Sequence, residues 1–156
     1  MDADYDEFFR SHYAPLVRAL AVAAGNEEAA DAVQDAFLEA HRRWGRISGY
    51  DRPEAWVRRV ALNRLTDGHR RRVRRDRVAA RLGVAEAPEL EPADLDLLRA
   101  VRALPEGQRL AVCLHYLADL SVDDVAEALG VTSGTVKSQL HDARRSLASA
   151  QEVSRD

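Results

Sequence analysis

Cysteine, methionine and lysine are almost missing from this sequence. It holds one cysteine, Cys113, one methionine at its start, and a single lysine, Lys137, among 23 basic side chains. One cysteine excludes an internal disulfide framework and any multi-cysteine zinc site, and a reducing setting is expected. Arginine in place of lysine is also what a GC-rich genome yields. No apolar run approaches the roughly 20 residues that cross a bilayer, so membrane insertion is not expected. The acidic start, Met1-Asp2-Ala3-Asp4, lacks the basic-then-apolar order of a secretory signal, and a cytoplasmic location is expected. Aromatics are scarce at 6%, while 46% hydrophobic and 31% charged residues fit one or two small globular domains.

The net charge of −3 conceals a strong division. Residues 1–40 carry 9 acidic and 2 basic side chains, whereas residues 41–82 carry 4 acidic and 14 basic. Residues 83–100 turn acidic again, with 5 against 1, and the remainder nearly balances. A basic block inside an acidic protein is the electrostatic footprint of a polyanion partner, although a solvated arginine-rich helix face has the same composition.

Apolar spacing predicts an all-α protein with no period-2 strand. Phe9, Tyr13, Leu16 and Leu20 step by 4, 3 and 4 along a first helix, with Pro15 a kink and Gly25-Asn26 its end. Val33, Phe37, Ala40 and Trp44 predict a second helix stopping near Gly45. After a loop from Ile47 to Arg52, Pro53 suits the first turn of a third helix, with Asp51 its candidate cap. Val57, Val60, Ala61 and Leu65 face its core side. Arg59, Asn63, Thr66 and Arg70 form an opposite polar stripe with Trp56 at the edge. Cations for phosphates, an aromatic stacking face and an amide for a base edge suit single-stranded nucleic acid. Trp56 also reads as ordinary core, and Arg70 to Arg77 as a solvent- or phosphate-facing run.

Gly83, Pro88 and Pro92 among Ala and Glu mark a linker, which divides the chain into residues 1–80, a linker over 81–93 and a second domain over 94–150. A short helix over Leu95 to Leu104 follows, and Pro105 opens a longer one whose apolar stripe includes Leu110, Cys113, Leu114 and Leu117. Cys113 therefore reads as packing. Residues 121–147 have the grammar of a helix-turn-helix. Ser121 and Asp124 suggest a capping box, Ala126 permits close helix approach, and Gly130 suits a left-handed turn. Thr132 caps a last helix with Val136, Leu140, Ala143 and Leu147 inward. Gly134, Ser138, His141 and Arg145 face outward, flanked by Lys137 and Asp142, as a major-groove helix requires.

Two DNA-facing surfaces in one chain, one for single strands and one for duplex, lead to a family resemblance covering nearly the whole sequence. Asp31-Ala32-Val33-Gln34-Asp35-Ala36-Phe37-Leu38-Glu39-Ala40 resembles region 2.2 of extracytoplasmic-function sigma factors. Ala55 to Asn63 is similar to their −10 element. Leu104 to Arg109, Leu120 to Gly130 and Gly134 to Arg144 are similar to their region 4, the last to its −35 helix.

The resemblance implies a sigma region 2 bundle and a sigma region 4 helix-turn-helix joined by a flexible linker. Its implied partners are core RNA polymerase, through the β′ clamp helices and β flap, and promoter DNA both duplex and single-stranded; an anti-sigma factor is a further candidate partner. Asp31, Gln34, Asp35 and Leu38 would bind polymerase. Ser48, Gly49, Tyr50 and Asp51 would join Trp56, Arg59, Asn63, Thr66 and Arg70 at the −10 strand. Thr135, Lys137, Ser138, His141, Arg144 and Arg145 would meet −35 duplex. Departures are Asp35 for the usual Glu, and Gln139 and Asp142 where relatives often carry Arg, so a −35 sequence preference does not transfer. With the sequence ending at Asp156, no fused C-terminal regulatory module is expected.

Two rivals remain at this point. A dimeric helix-turn-helix regulator that does not bind core polymerase explains the second domain, but leaves residues 31–40 and the Arg59–Arg70 stripe without a role. A nuclease needs a catalytic constellation, and His12, His41, His69, His115 and His141 lie scattered without metal-ligand spacing. No catalytic residue, metal or cofactor is therefore expected.

Overall fold

The computed structural model describes residues 2–79 and 92–155, with side chains described for 3–67 and 95–151. Within these, every regular element is helical. Helix α1 (Asp2–Ala24) carries Pro15 inside it and ends at Gly25, whose φ of 97° belongs to the region that glycine enters without steric cost. Helix α2 (Asn26–Arg42) follows at once. The second predicted helix thus stops short of Trp44, which instead begins a single turn, α3 (Trp44–Ile47). Helix α4 (Pro53–Ala79) starts without help from the Asp51 side chain: the Ala55 N–H donates to the Arg52 carbonyl at 3.0 Å.

Aromatic packing explains why α1, α2 and α3 meet. The Phe37 ring is 1% exposed and takes Phe9 edge-on at 5.2 Å and Tyr13 at 5.6 Å. Trp44 lies 5.0 Å from Phe8 and 5.5 Å from Tyr5, so the short third helix folds its indole back onto α1. The Tyr5 hydroxyl donates to the Phe37 carbonyl at 2.9 Å. Burial, aided by Asp6, pushes that phenol above its ordinary pKa.

The second half comprises α5 (Pro92–Arg102), α6 (Glu106–Val112), α7 (Val122–Leu129) and α8 (Ser133–Arg155). The longer helix expected after Pro105 changes hydrogen bonding midway: Cys113–Leu117 is a π-helical turn. Ala118 N–H reaches the Cys113 carbonyl at 3.2 Å and Leu120 N–H reaches Leu114 at 3.1 Å. Asp119 takes a φ of 56°, which reverses the chain into α7. The His115 Nδ1 lies 2.7 Å from the Leu120 carbonyl and braces the same reversal.

The two halves are docked. Buried side chains from α1, α2 and α4 form one cluster with those of α6, α7 and α8. Helix α1 packs on the π turn and on α5, and α4 packs on α7. Arg102 Nε donates to the Val22 carbonyl at 3.4 Å across this seam. A small cleft at the seam is lined by His12, Glu54 and Arg58 from the first half and Ala118 and Leu120 from the second. Among the described residues, no helix is long and apolar enough to cross a membrane.

Candidate nucleic-acid and polymerase interfaces

Helix α2 divides by face. Ala29, Ala32, Val33, Ala36, Phe37 and Ala40 are buried, which leaves Asp31, Gln34, Asp35 and Leu38 exposed. Leu38 is 55% exposed, a large apolar side chain in water amid polar neighbours. Arg64 of α4 reaches across to this face, 3.2 Å from Glu39 and 3.9 Å from Asp35. Sequence reasoning did not single out Arg64; it lies off the helix stripe that was read, and only the folded pairing of α2 with α4 brings it there.

Helix α4 also divides as its wheel predicts. Val57, Ala61 and Leu65 are buried, joined by Leu62 at 3% exposure, while Val60 is half-buried. On the other side Arg59 and Asn63 are exposed. Trp56 is half-buried against the core, so only part of its ring is available for stacking. The Thr66 hydroxyl donates to the Leu62 carbonyl at 2.8 Å and is occupied within its own helix. The Arg70 side chain and the arginine run to Arg77 lie outside the described side chains. Just before α4, Ser48, Gly49, Tyr50 and Asp51 are all exposed, Tyr50 by 40%.

The helix-turn-helix forms as its punctuation requires. Ser121 Oγ accepts from the Asp124 N–H at 3.1 Å, which is half of the expected capping box. The Asp124 carboxylate does not complete it, because it turns outward to pair with Arg52. Gly130 ends α7 in the left-handed region with φ 70°. Thr132 Oγ1 accepts from the Thr135 N–H at 3.1 Å and lies 2.9 Å from the Thr135 hydroxyl. Thr135 therefore sits inside the cap of α8. Val136, Leu140 and Ala143 are buried, and Lys137, Ser138, His141, Arg144 and Arg145 are exposed.

Two residues on α8 are held within the fold. Arg144 Nε donates to the Tyr116 hydroxyl at 2.7 Å, so Arg144 would have to leave that bond to meet DNA. Gln139 is half-buried with its amide against Gly107, where an added Cβ would overlap it. This position, read from sequence as a departure on the DNA face, instead joins α8 to α6.

Sequence comparison agrees with this architecture. Residues 9–75 match Sigma-70 region 2 and residues 94–147 match Sigma-70, region 4, two modules whose order defines a sigma-70-type subunit of RNA polymerase. The ECF RNA polymerase sigma factor SigM of Mycobacterium tuberculosis is 34% identical over 147 residues, spanning 92% of this chain and 75% of SigM. The RNA polymerase sigma-E factor of Streptomyces avermitilis is 30% identical over 90% of this chain and 80% of its own. The sigma factor RpoE of Bartonella quintana, solved in complex with the anti-sigma factor NepR, has the same fold. Its TM-score is 0.76 at 23% identity, over 96% of this chain and 98% of that one. The chain belongs to the extracytoplasmic-function family of RNA polymerase sigma factors, whose partners are RNA polymerase and promoter DNA.

Proposed function

We propose that residues 1–80 bind core polymerase and capture the −10 strand, that 81–93 act as linker, and that 94–150 read −35 duplex. The observation that carries this reading is α4, a helix buried on one face by Val57, Ala61 and Leu65 that presents Arg59 and Asn63 on the other. An exposed asparagine contributes little to packing, yet its amide both donates to and accepts from a base edge once that base has left the stack. Extruding a base costs a few kcal/mol, and stacking on an aromatic such as Trp56 or Tyr50 offsets about 1–3 kcal/mol per base. The loop Ser48 to Asp51 forms the pocket wall, and Arg70 holds phosphate.

On α2, Asp31, Gln34, Asp35 and Leu38 meet the β′ clamp helices, while the second domain meets the β flap. On α8, Lys137, Ser138 and His141 reach base edges, Arg144 and Arg145 hold phosphates, and Thr135 adds a contact at the helix start. No catalytic residue, metal or cofactor enters this mechanism. The complex of the Bartonella protein with NepR supports an anti-sigma factor as a further partner. Run-off transcription with purified core polymerase tests the reading: the protein should yield promoter-specific transcripts, and Asp35→Arg, by weakening core binding, should lower their yield. DNA binding without core binding would instead favour a free-standing helix-turn-helix regulator.

A further inference from the structure

Arg64 follows Asn63 on α4, yet the helix turns it toward α2. Its Nη2 donates to Glu39 Oε2 at 3.2 Å, and its Nη1 lies 3.9 Å from Asp35 Oδ2. Arg43, one turn beyond Glu39 on α2, reaches that same glutamate at 3.4 Å. Glu39 is thus held by two cations and anchors Arg64, whereas Asp35 is the looser partner. Asp35 and Arg64 are each more than half exposed. Around them α2 carries charge of one sign. Residues 27 to 40 include five carboxylates, Glu27, Glu28, Asp31, Asp35 and Glu39, and no lysine or arginine. The exposed Leu38 sits among them. Interfaces set charge against opposite charge, so the surface that meets this face is cationic. Arg64 then stands beside Asp35 where a cation of that partner would stand.

We propose that Arg64 is a built-in competitor for Asp35, a counter-ion within the chain that weakens the contact between this protein and a cationic surface of core polymerase. This rests on the reading of the α2 face as the polymerase-binding surface. The pair is long and exposed, the kind that water and salt screen, so a partner's cation can displace it. Arg64 need not leave the surface when that happens, because Glu39 still holds it. Exposed pairs of this kind are worth up to about fivefold in an equilibrium constant, which sets the size of the effect. Without Arg64 the face carries one more uncompensated negative charge. Encounter with a cationic partner then quickens, and its dependence on salt steepens.

The test is competition between full-length variants and labelled parent protein for limiting core polymerase, without DNA and over a range of salt. Arg64 is exposed and surface ion pairs contribute little to folding, so Arg64→Gln leaves the fold intact. It should bind core about two- to fivefold more tightly than the parent, with the advantage shrinking as salt rises. A merely structural role would lower affinity and could not raise it. Arg18→Gln makes the same charge change at an exposed position of α1 and should give no gain. In an Asp35→Asn background, the gain from Arg64→Gln should disappear, as coupling of the pair requires. Unchanged or weaker core binding by Arg64→Gln overturns the proposal. An equal gain in Arg18→Gln, or an undiminished one in the Asp35→Asn background, overturns it too. Asp35→Arg then tells the two readings apart. If it weakens core binding, the α2 face stands and only the competition is wrong. If core binding is unchanged, the reading of that face fails as well.

Discussion

Cys113 shows how burial settles chemistry at one residue. Its side chain is fully buried, and desolvation pushes the thiol up to about 11, against a smaller opposing pull from Arg109. The thiolate, the reactive form, is therefore nearly absent at neutral pH. Native protein should resist a thiol-specific reagent at pH 8 and react at once in denaturant; rapid native labelling would contradict this. His12 is a second case, in the seam between the domains. Burial lowers its pKa from 6.5, with Arg58 adding to the effect and Glu54 opposing it. Well above pH 6.5 the imidazole is neutral folded and unfolded, so it costs nothing there. Below that value the unfolded chain takes up the proton more readily, and stability falls as the pH drops. Urea midpoints at pH 7.5 and 5.5 should show a smaller acid loss for His12→Asn than for the parent. Equal losses would place the acid sensitivity elsewhere.

At the scale of the element, periodicity was legible wherever one helix faces one core. Val57, Ala61 and Leu65 of α4 and Val136, Leu140 and Ala143 of α8 are buried because 3.6-residue spacing puts them on one side. Leu62 escaped that reading because α4 meets both α2 and α7, which widens its buried face. The π turn at Cys113–Leu117 escaped it too, since apolar spacing does not distinguish i to i+4 bonding from i to i+5. On α2, Asp35→Arg should weaken core-polymerase binding about tenfold or more, a change of about 1.4 kcal/mol, and spare −35 duplex binding. Unchanged core affinity would remove this face from the interface. On α8, altering Ser138 or His141 should change promoter preference, at about 1–3 kcal/mol per lost base contact. Arg145→Ala should weaken all sequences alike and flatten the salt dependence. Changed sequence ranking in Arg145→Ala would show that it reads a base.

For the whole molecule, the two-part order was visible in charge and motif, but the docking of the parts was not. Arg52 and its partners Asp124 and Glu127 are separated by 72 and 75 residues, and no local pattern links such positions. Asp124 illustrates the difficulty: three residues after Ser121 it reads as half of a capping box, and the fold sends its carboxylate across the seam instead. Gln139 likewise read as a surface departure until Gly107 was found beneath it. Local rules thus placed the faces of each helix, whereas long-range pairing decides which of those faces meet water.

What separates a sigma subunit from other DNA-binding proteins is strand capture during promoter opening, and Asn63 on α4 is the residue on which that claim turns. Its side chain is exposed, so Asn63→Ala should leave folding within about 0.5 kcal/mol of the parent and preserve both core and −35 binding. Permanganate footprinting of thymines near −10, in holoenzyme reconstituted with core polymerase, reports opening directly. Reactive thymines with the parent protein and protected ones with Asn63→Ala are the expected result. An undiminished footprint with Asn63→Ala would show that the α4 stripe is a solvated helix face and not the strand-capturing surface.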